Sequence, residues 1–190
     1  MLSGRRLDLL HPEPGDVDIV DIAHGLARVA RWNGQTRGTY VFSVAQHACL
    51  VTEIARELSS DLSPATELML LLHDAPEYVV GDLISPFKAA IGDDYKRVER
   101  RLLAAIHGHF GLDPEPDRQT AALIKTADRI AAYFEATALA GFEASEALVL
   151  FCDPRAFAYH REPDRALLEP WPTERAQQTF LERCIANRAG

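Results

Sequence analysis

Residues 68–88, with the sequence LMLLLHDAPEYVVGDLISPFK, constrain the fold of this chain more than any other stretch. Five consecutive apolar residues lead directly into His73 and Asp74, and Glu77 and Asp82 follow shortly after. A charged group that is buried without a partner is costly, and its pKa shifts until the group becomes neutral. We therefore expect these four side chains to be hydrogen-bonded, ion-paired or bound to a metal, and the fold must bring their partners to this point.

The length and composition of the chain favour one soluble globular domain over residues 1–190. A chain of 190 residues suits one compact core, and no stretch resembles a flexible linker. Hydrophobic residues make up 47% and charged residues 25%, the balance of an ordinary soluble protein. The formal net charge of -8 argues against a nucleic-acid polymer as partner, because phosphate-backbone binders normally present a basic face. Small anionic substrates are compatible with this charge.

Cysteine usage and hydropathy indicate a cytoplasmic protein without membrane contact. Cys49, Cys152 and Cys184 are far apart and form no C-x-x-C pair, so neither a disulfide framework nor a cysteine zinc site is indicated. Free thiols suit a reducing cytoplasm. The N-terminus lacks the apolar stretch of a signal peptide, and the chain has no run of about 18 apolar residues.

Helical spacing of apolar residues predicts an all-α fold. The predicted helices cover residues 16–31, 43–58, 63–74, 95–109, 118 onwards and 173–187. The segment Ser43–Gln46 has the form of a capping box, and Pro76 is expected to kink or end its helix just past His73 and Asp74. No strand alternation is long enough to support a sheet, although the run LVLF at 148–151 fits a buried helix or a strand equally well.

Three of the predicted helices each place an anomalous polar side chain on an apolar face. His47 lies on one inward stripe, His73 and Asp74 follow the buried run, and Asp128 stands in the middle of a third stripe. Two imidazoles and two carboxylates suit one borderline divalent ion such as Mn, Fe, Co, Ni or Zn. The spacing leaves an alternative open, in which a histidine and an aspartate are hydrogen-bonded in the core and Asp128 pairs with an arginine.

Two other groups of polar residues have a simpler explanation on these grounds. His107 and His109 lie at a helix end, where a cation suits the helix dipole, so we assign them no chemistry. The loop after the first helix holds Arg31 and Trp32 among glycines and polar residues, and by itself it is typical of a solvated connection.

The ordered motifs resemble those of the HD-domain metal-dependent phosphohydrolases, and most closely those of the small bacterial 5'-deoxynucleotidases. A histidine, an HD pair and a later aspartate occur in that order, with RW at Arg31–Trp32, HDAPEYVVGDLISPFK from His73, DYKRVER, and KTADRIAAYF around Asp128. The resemblance runs from about Arg31 to Leu139, over half of the chain. It implies one compact helical HD-type domain with a metal site in the core of the helix bundle.

The resemblance also implies a role for each matching residue. The implied ligands of one divalent ion (Co, Mn, Fe, Zn, Ni or Mg) are His47, His73, Asp74 and Asp128. Glu77 matches the acid that positions or deprotonates the attacking water, and Asp82 matches a second acid beside the phosphate. The implied substrate contacts are Arg31 and Lys88 with the phosphate and Trp32 with the sugar.

The activity implied by the resemblance is hydrolysis of (deoxy)nucleoside 5'-monophosphates to nucleoside and phosphate, by a homodimer. An HD-type phosphodiesterase or pyrophosphohydrolase acting on another nucleotide is one alternative, and a catalytically silent metal-binding helical module is another. Tyr78 stands where guanosine tetraphosphate hydrolases carry a second acid, which counts against that chemistry. The stretch NGQTRGTY at 33–40 departs from the nucleotidase pattern, so base and sugar preference stay open.

Overall fold

Ten α-helices and three short 3-10 segments form the fold over residues 1–188, which the computed structural model describes. The helices are α1 (Ile19–Leu26), α2 (Val44–Leu58), α3 (Pro64–Leu71), α4 (Glu77–Val80), α5 (Ser85–Ile91), α6 (Asp93–His109), α7 (Arg118–Ala138), α8 (Ala144–Leu150), α9 (Arg165–Leu168) and α10 (Thr173–Arg188). The 3-10 segments are Pro14–Asp16, Arg31–Gly34 and Pro154–Phe157. Over these residues there is no β-strand, only an isolated antiparallel bridge between Ala30 and Ser43. The predicted all-α class is confirmed, and most of the LVLF run belongs to α8.

Helix α2 lies at the centre of the fold, packed against α7, α3 and α10. Two apolar clusters flank it: one joins Ala48 to Leu71 and Phe180, and the other joins Ile54 to Ile130. His47 lies on this helix with no exposed surface, as its position on the inward stripe predicted. Because a buried polar ring needs partners, the surrounding helices must supply them. Among the same 188 residues, no helix has the length and apolarity that crossing a membrane requires.

The start of α2 follows only half of the predicted capping box. The Ser43 hydroxyl accepts a hydrogen bond from the backbone N–H of Gln46 at 3.3 Å, so the N-cap is confirmed. The Gln46 side chain does not return to the helix start; its amide donates to the carbonyls of Leu167 and Glu169, both at 2.8 Å. Gln46 therefore ties the C-terminal segment to the central helix.

The prediction that the third helix reaches past His73 and Asp74 is wrong, because α3 ends at Leu71. Pro76 has no N–H, and its ring would clash with the carbonyl of Leu72 in a continuing helix. That carbonyl instead accepts a hydrogen bond from the backbone N–H of Ala75 at 2.9 Å. His73 and Asp74 consequently lie on an irregular turn, where adjacent side chains can point to one place.

Gly25 lets α1 and α4 approach closely. A Cβ at this position would lie 2.8 Å from the Cβ and 2.9 Å from the carbonyl oxygen of Tyr78. Glycine lowers helix propensity, and this contact explains its presence inside α1. Helix α1 is also shorter than the predicted span 16–31, because Asp18 caps its start and the chain turns after Leu26.

Candidate metal and phosphate site

The four predicted metal ligands converge beside α2, although they come from three separate parts of the chain. Nε2 of His47 lies 3.3 Å from Oδ1 of Asp128 and 3.6 Å from Oδ2 of Asp74. Nε2 of His73 lies 3.3 Å from the same oxygen of Asp74. Ligand atoms of His47, His73 and Asp128 are all within 4.8 Å of one another.

The two 3.3 Å distances fit the ligands of one divalent ion, and the 3.6 Å distance between His47 and Asp74 is slightly longer. Two atoms that each lie about 2.1 Å from an ion are about 3.0 to 3.4 Å apart in octahedral or tetrahedral geometry. Nε2 of His47 and Nε2 of His73 are buried and have no hydrogen-bond partner within residues 1–188. An unsatisfied buried nitrogen is costly, and coordination would satisfy both. Within the same residues, no arginine is ion-paired with Asp128, which counts against the purely structural alternative.

The outer nitrogens of the two histidines fix the orientation of their rings. Nδ1 of His73 lies 2.8 Å from the carbonyl oxygen of Leu70, and Nδ1 of His47 lies 2.5 Å from Oε1 of Glu135. With an oxygen acceptor at Nδ1, the proton belongs there and the lone pair of Nε2 faces the carboxylates. Both rings therefore present a metal-binding nitrogen to the same point.

The carboxylates make this point attractive to a cation. Burial and Arg31 act to lower the pKa of His47, but Glu135 and Asp128 outweigh them and raise it to about 10. Burial also opposes protonation of His73, yet Asp74 raises its pKa above the ordinary value. A site that raises histidine pKa values in this way binds a proton or a metal ion in competition.

Glu77 lies at the start of α4, directly after the turn that carries His73 and Asp74, and only 1% of its surface is exposed. Nζ of Lys88 lies 3.2 Å from Oε1 of Glu77, and Oε2 has no partner among the described residues. Burial, with the nearby carboxylates of Asp74 and Asp82, raises the pKa of Glu77 to about 8. A carboxyl group with such a pKa can both accept and release a proton near neutral pH.

The guanidinium of Arg31 lies close to the predicted ligand Asp74, the predicted catalytic acid Asp82 and Glu135. Nη1 is 3.5 Å from Oδ2 of Asp82 and 3.9 Å from Oδ2 of Asp74, and Nη2 is 3.4 Å from Oε2 of Glu135. Only 14% of the Arg31 side chain is exposed. The arginine predicted to contact phosphate is thus at the site.

The other two predicted substrate contacts differ in their surroundings. The indole of Trp32 donates to Oε2 of Glu135 at 2.8 Å, and its ring packs against Phe142 and Phe151 with centroids 5.7 and 5.6 Å away. Lys88 instead forms ion pairs with Glu77 and, at 3.1 Å, with Glu99. Lys88 is therefore close to the site and already engaged with acids.

Sequence reasoning missed Glu135, which contacts three of the predicted site residues. It lies on the same helix as Asp128 and seven residues later, so both are on one face of α7. Glu135 has no exposed surface. An acid on the stripe of Ala127 and Ala131 was the signal that pointed to Asp128, and the same signal was present here.

The all-helical fold with an ordered His, His-Asp and Asp set defines a protein of the HD-domain class. Within that class, the family model described as "5'-deoxynucleotidase YfbR-like" matches residues 21–146, and the chain belongs to this family. The matched range includes every predicted site residue and Glu135. Membership associates the chain, at the level of the family, with 5'-deoxynucleotidase-type phosphohydrolases that use a divalent metal.

Two relatives extend the comparison. An uncharacterized protein of Rhodobacter capsulatus is 52% identical over 157 residues, which are 81% of this chain and 79% of that protein. The uncharacterized protein YfdR of Escherichia coli is 34% identical over 100 residues, 52% of this chain and 50% of YfdR. The likeness to YfdR thus covers about half of each protein.

Proposed function

We propose that this chain hydrolyses the phosphomonoester bond of (deoxy)nucleoside 5'-monophosphates, releasing nucleoside and inorganic phosphate. One divalent ion would be held by His47, His73, Asp74 and Asp128. Such an ion supplies Lewis-acid chemistry, neutralising phosphate oxygens and lowering the pKa of water. The substrate is small and phosphorylated, residues 1–190 act as one domain, and the active form is a homodimer.

The observation that supports this proposal best is the proximity of a cation site, a buried acid and a buried arginine. Two unpartnered Nε2 atoms face Asp74, and the guanidinium of Arg31 lies 3.9 Å from that same carboxylate. A phosphate bound here would meet an ion on one side and a forked donor on the other. Arginine suits this task because its guanidinium donates two parallel hydrogen bonds.

The chain's acids have separate roles in this proposal. Glu77, with its pKa raised to about 8, accepts the proton of the attacking water. Asp82 lies 3.5 Å from Arg31 and holds the guanidinium toward the phosphate. Lys88 pairs with Glu77 and favours its ionised form, and a phosphate group is a second partner for its ammonium. Trp32 contacts the sugar.

A pyrophosphohydrolase of the two-acid type is less well supported. Tyr78 stands at the position of the second acid, is 8% exposed, and packs against Gly25 of α1. Residue 78 is directed into the contact between α1 and α4. No neighbouring side chain can therefore supply the missing second acid unless the backbone changes.

The test is phosphate release, with chromatography of the nucleotide products, by the purified, chelator-treated protein with Co²⁺, Mn²⁺ or Mg²⁺ added back. Substrates should include paired deoxyribo- and ribonucleoside 5'-monophosphates, a cyclic dinucleotide and guanosine tetraphosphate. We expect metal-dependent release from the monophosphates, and the paired sugars measure the 2'-deoxy preference. The variant Asp94→Ala, which removes an exposed acid of α6, serves as the control. No release from any monophosphate with any ion would contradict the proposal. Conversion of the cyclic dinucleotide or the tetraphosphate would then favour the other hydrolase, and no conversion of any substrate would favour the silent module.

A further inference from the structure

Glu135 joins the two halves of the candidate site. Its Oε1 accepts from Nδ1 of His47 at 2.5 Å, on the metal side. Its Oε2 accepts from Nε1 of Trp32 at 2.8 Å and from Arg31 at 3.4 Å, on the substrate side. The carboxylate is fully buried, so these protein groups are the ones that satisfy it.

We propose that Glu135 is a positioning residue that holds His47 and the Arg31–Trp32 segment in one geometry, so that metal binding and substrate binding depend on the same carboxylate. This inference rests on the proposed function, in which His47 binds the ion and Arg31 and Trp32 contact the substrate. Glu135 itself touches neither the ion nor the substrate.

On the metal side, Glu135 determines which nitrogen of His47 is available. A carboxylate at Nδ1 keeps the proton on that nitrogen and leaves the lone pair of Nε2 directed at Asp128 and Asp74. Such partners of a metal-binding histidine typically contribute about 10- to 100-fold in metal affinity. Without the carboxylate, the ring is free to rotate or to adopt the other tautomer.

On the substrate side, Glu135 stabilises a backbone that is unfavourable for these residues. Trp32 and Asn33 have φ angles of 57° and 51°, in the left-handed region that side chains with a Cβ rarely adopt. Such a conformation persists only where the surroundings determine it strongly. The bond from the indole to Glu135 and the packing of that ring against Phe142 and Phe151 provide this support.

The hydrogen bonds of Glu135 on the metal side and on the substrate side require a carboxylate and not merely a polar side chain of this size. Both oxygens of Glu135 accept hydrogen bonds from donors, His47 on one side and Trp32 with Arg31 on the other. A glutamine has one accepting oxygen and one donating NH₂ group. In Glu135→Gln the NH₂ group must face a donor whichever way the amide turns, so the hydrogen bonds on at least one of the two sides are lost.

The experiment compares Glu135→Gln, Trp32→Phe and Asp21→Asn with the wild-type protein. Asp21 is the matched control, because it is a buried carboxylate that accepts two hydrogen bonds from Ser3, outside the site. The first measurement is Co²⁺ affinity of the chelator-treated proteins by calorimetry. The second is fluorine NMR of 5-fluorotryptophan protein, in which Trp32 and Trp171 give the two signals of the chain and Trp32→Phe assigns them.

We expect Glu135→Gln to weaken Co²⁺ binding about 10- to 100-fold and to shift the Trp32 signal without moving that of Trp171. Trp32→Phe should keep Co²⁺ affinity within about twofold, since it removes only the hydrogen bond on the substrate side. Asp21→Asn should match the wild type in both measurements. If the proposed function holds, KM for a nucleoside monophosphate rises in both Glu135→Gln and Trp32→Phe, and their double variant is less than additive.

Wild-type Co²⁺ affinity together with an unmoved Trp32 signal in Glu135→Gln would overturn the inference and leave Glu135 a structural ion pair. If that variant does not fold, Zn²⁺ addition to the chelator-treated wild-type protein decides: the inference requires the Trp32 signal to move, and an unchanged signal contradicts it. Absence of phosphatase activity would refute the proposed function alone, because metal affinity and the fluorine signal do not depend on turnover.

Discussion

The candidate metal site and the end of α6 both bury histidines, and the two regions shift the histidine pKa values in opposite directions. His47, His73 and His107 each place Nδ1 against an oxygen atom, and each has a buried Nε2 without a partner in the described part of the chain. At the metal site, neighbouring acids raise the pKa of His47 and His73. At the end of α6, burial lowers the pKa of His107, although the carbonyl of Pro114 opposes this.

The difference shows that burial alone produces a neutral histidine, whereas converging carboxylates produce a site for a cation. Desolvation lowers the pKa of His107 despite the carbonyls of Pro114 and Asp113, so this ring does not supply the cation that a helix end favours. Both rings are buried, His47 with no exposed surface and His107 with 1% exposed. What distinguishes them is the arrival of Asp74 and Asp128 from distant parts of the chain.

Asp128→Ala should produce the largest effect, because it removes one of only four proposed protein ligands. We expect metal affinity to fall more than about 100-fold, since even partners that only contact a ligand contribute about 10- to 100-fold. Phosphate release should fall to background. Elemental analysis of the purified variant and a phosphate assay measure both effects.

The control for this substitution is Asp94→Ala on the exposed face of α6, which should keep both metal and activity. A metal content equal to that of the wild type in Asp128→Ala would remove Asp128 from the ligand set. In that case, the acids near His47 would stabilise a protonated imidazole and the contrast with His107 would be one of charge alone.

Glu77→Gln should separate the acid that works on water from the acids that bind the ion. The substitution keeps the size of the side chain and removes its capacity to accept a proton, so we expect kcat to fall about 10²- to 10⁴-fold. Metal content should stay unchanged because Glu77 is not a proposed ligand. Phosphate release under saturating substrate and elemental analysis are the two measurements.

Loss of metal from Glu77→Gln would place Glu77 in the ligand set and contradict its assigned role. The useful comparison is with Asp82→Asn, the other proposed acid, which contacts Arg31. That variant should raise KM more than it lowers kcat, because its effect passes through the phosphate-binding arginine.

Local signals made much of the fold predictable. Ser43 was recognisable as an N-cap, and the inward stripes of α2 and α7 followed from helical periodicity. The proximity of His47, His73, Asp74 and Asp128 also followed from the ordered motifs, because they imply a known arrangement of helices. The roles assigned to these side chains are still predictions.

What the sequence did not determine depends on distant contacts. Gln46 fitted a local capping box, but its amide is bound by carbonyls more than a hundred residues away. The segment 141–170 carried no clear periodicity, and only the fold reveals that Phe142 and Phe151 pack against Trp32. The predicted end of α3 lay three residues too late, since the helix ends at Leu71 and the Nδ1 contact of His73 with the carbonyl of Leu70 cannot be read from helical spacing.

Gly25→Ala should have an intermediate effect. It tests whether the backbone near the site tolerates an added Cβ less well than the backbone near His107. The new Cβ would lie 2.8 Å from the Cβ and 2.9 Å from the carbonyl oxygen of Tyr78, so α4 must move. We expect a loss of about 1–3 kcal/mol in the free energy of unfolding. Because α4 begins at Glu77, kcat should fall as well.

Gly108→Ala is the matched substitution beside His107. Its Cβ would lie 3.0 Å from Cγ of Pro14, a ring edge that can shift more easily than backbone. Alanine also favours a helix over glycine by about 1 kcal/mol. Urea unfolding should therefore show a smaller loss for Gly108→Ala than for Gly25→Ala, and equal losses would contradict the difference between the two regions.

His107→Gln should have the smallest effect, visible only as a change in how stability depends on pH. The folded-state pKa of His107 lies below the unfolded value of about 6.5, because burial disfavours the charged ring. Above that pH both states are neutral at this residue and it contributes no pH dependence. As the pH falls below about 6.5, the unfolded chain binds a proton that the folded chain refuses, so stability decreases.

Urea unfolding of wild-type and His107→Gln proteins at pH 5, 6, 7 and 8 measures this difference. The free energy of unfolding should fall less between pH 7 and pH 5 in the variant than in the wild type, and metal content should be unchanged. Parallel curves would show that His107 titrates alike in both states. Such a result would mean that an acid or solvent reaches the Nε2 of His107, which like those of His47 and His73 has no partner among the described residues. The contrast between the two regions would then no longer hold.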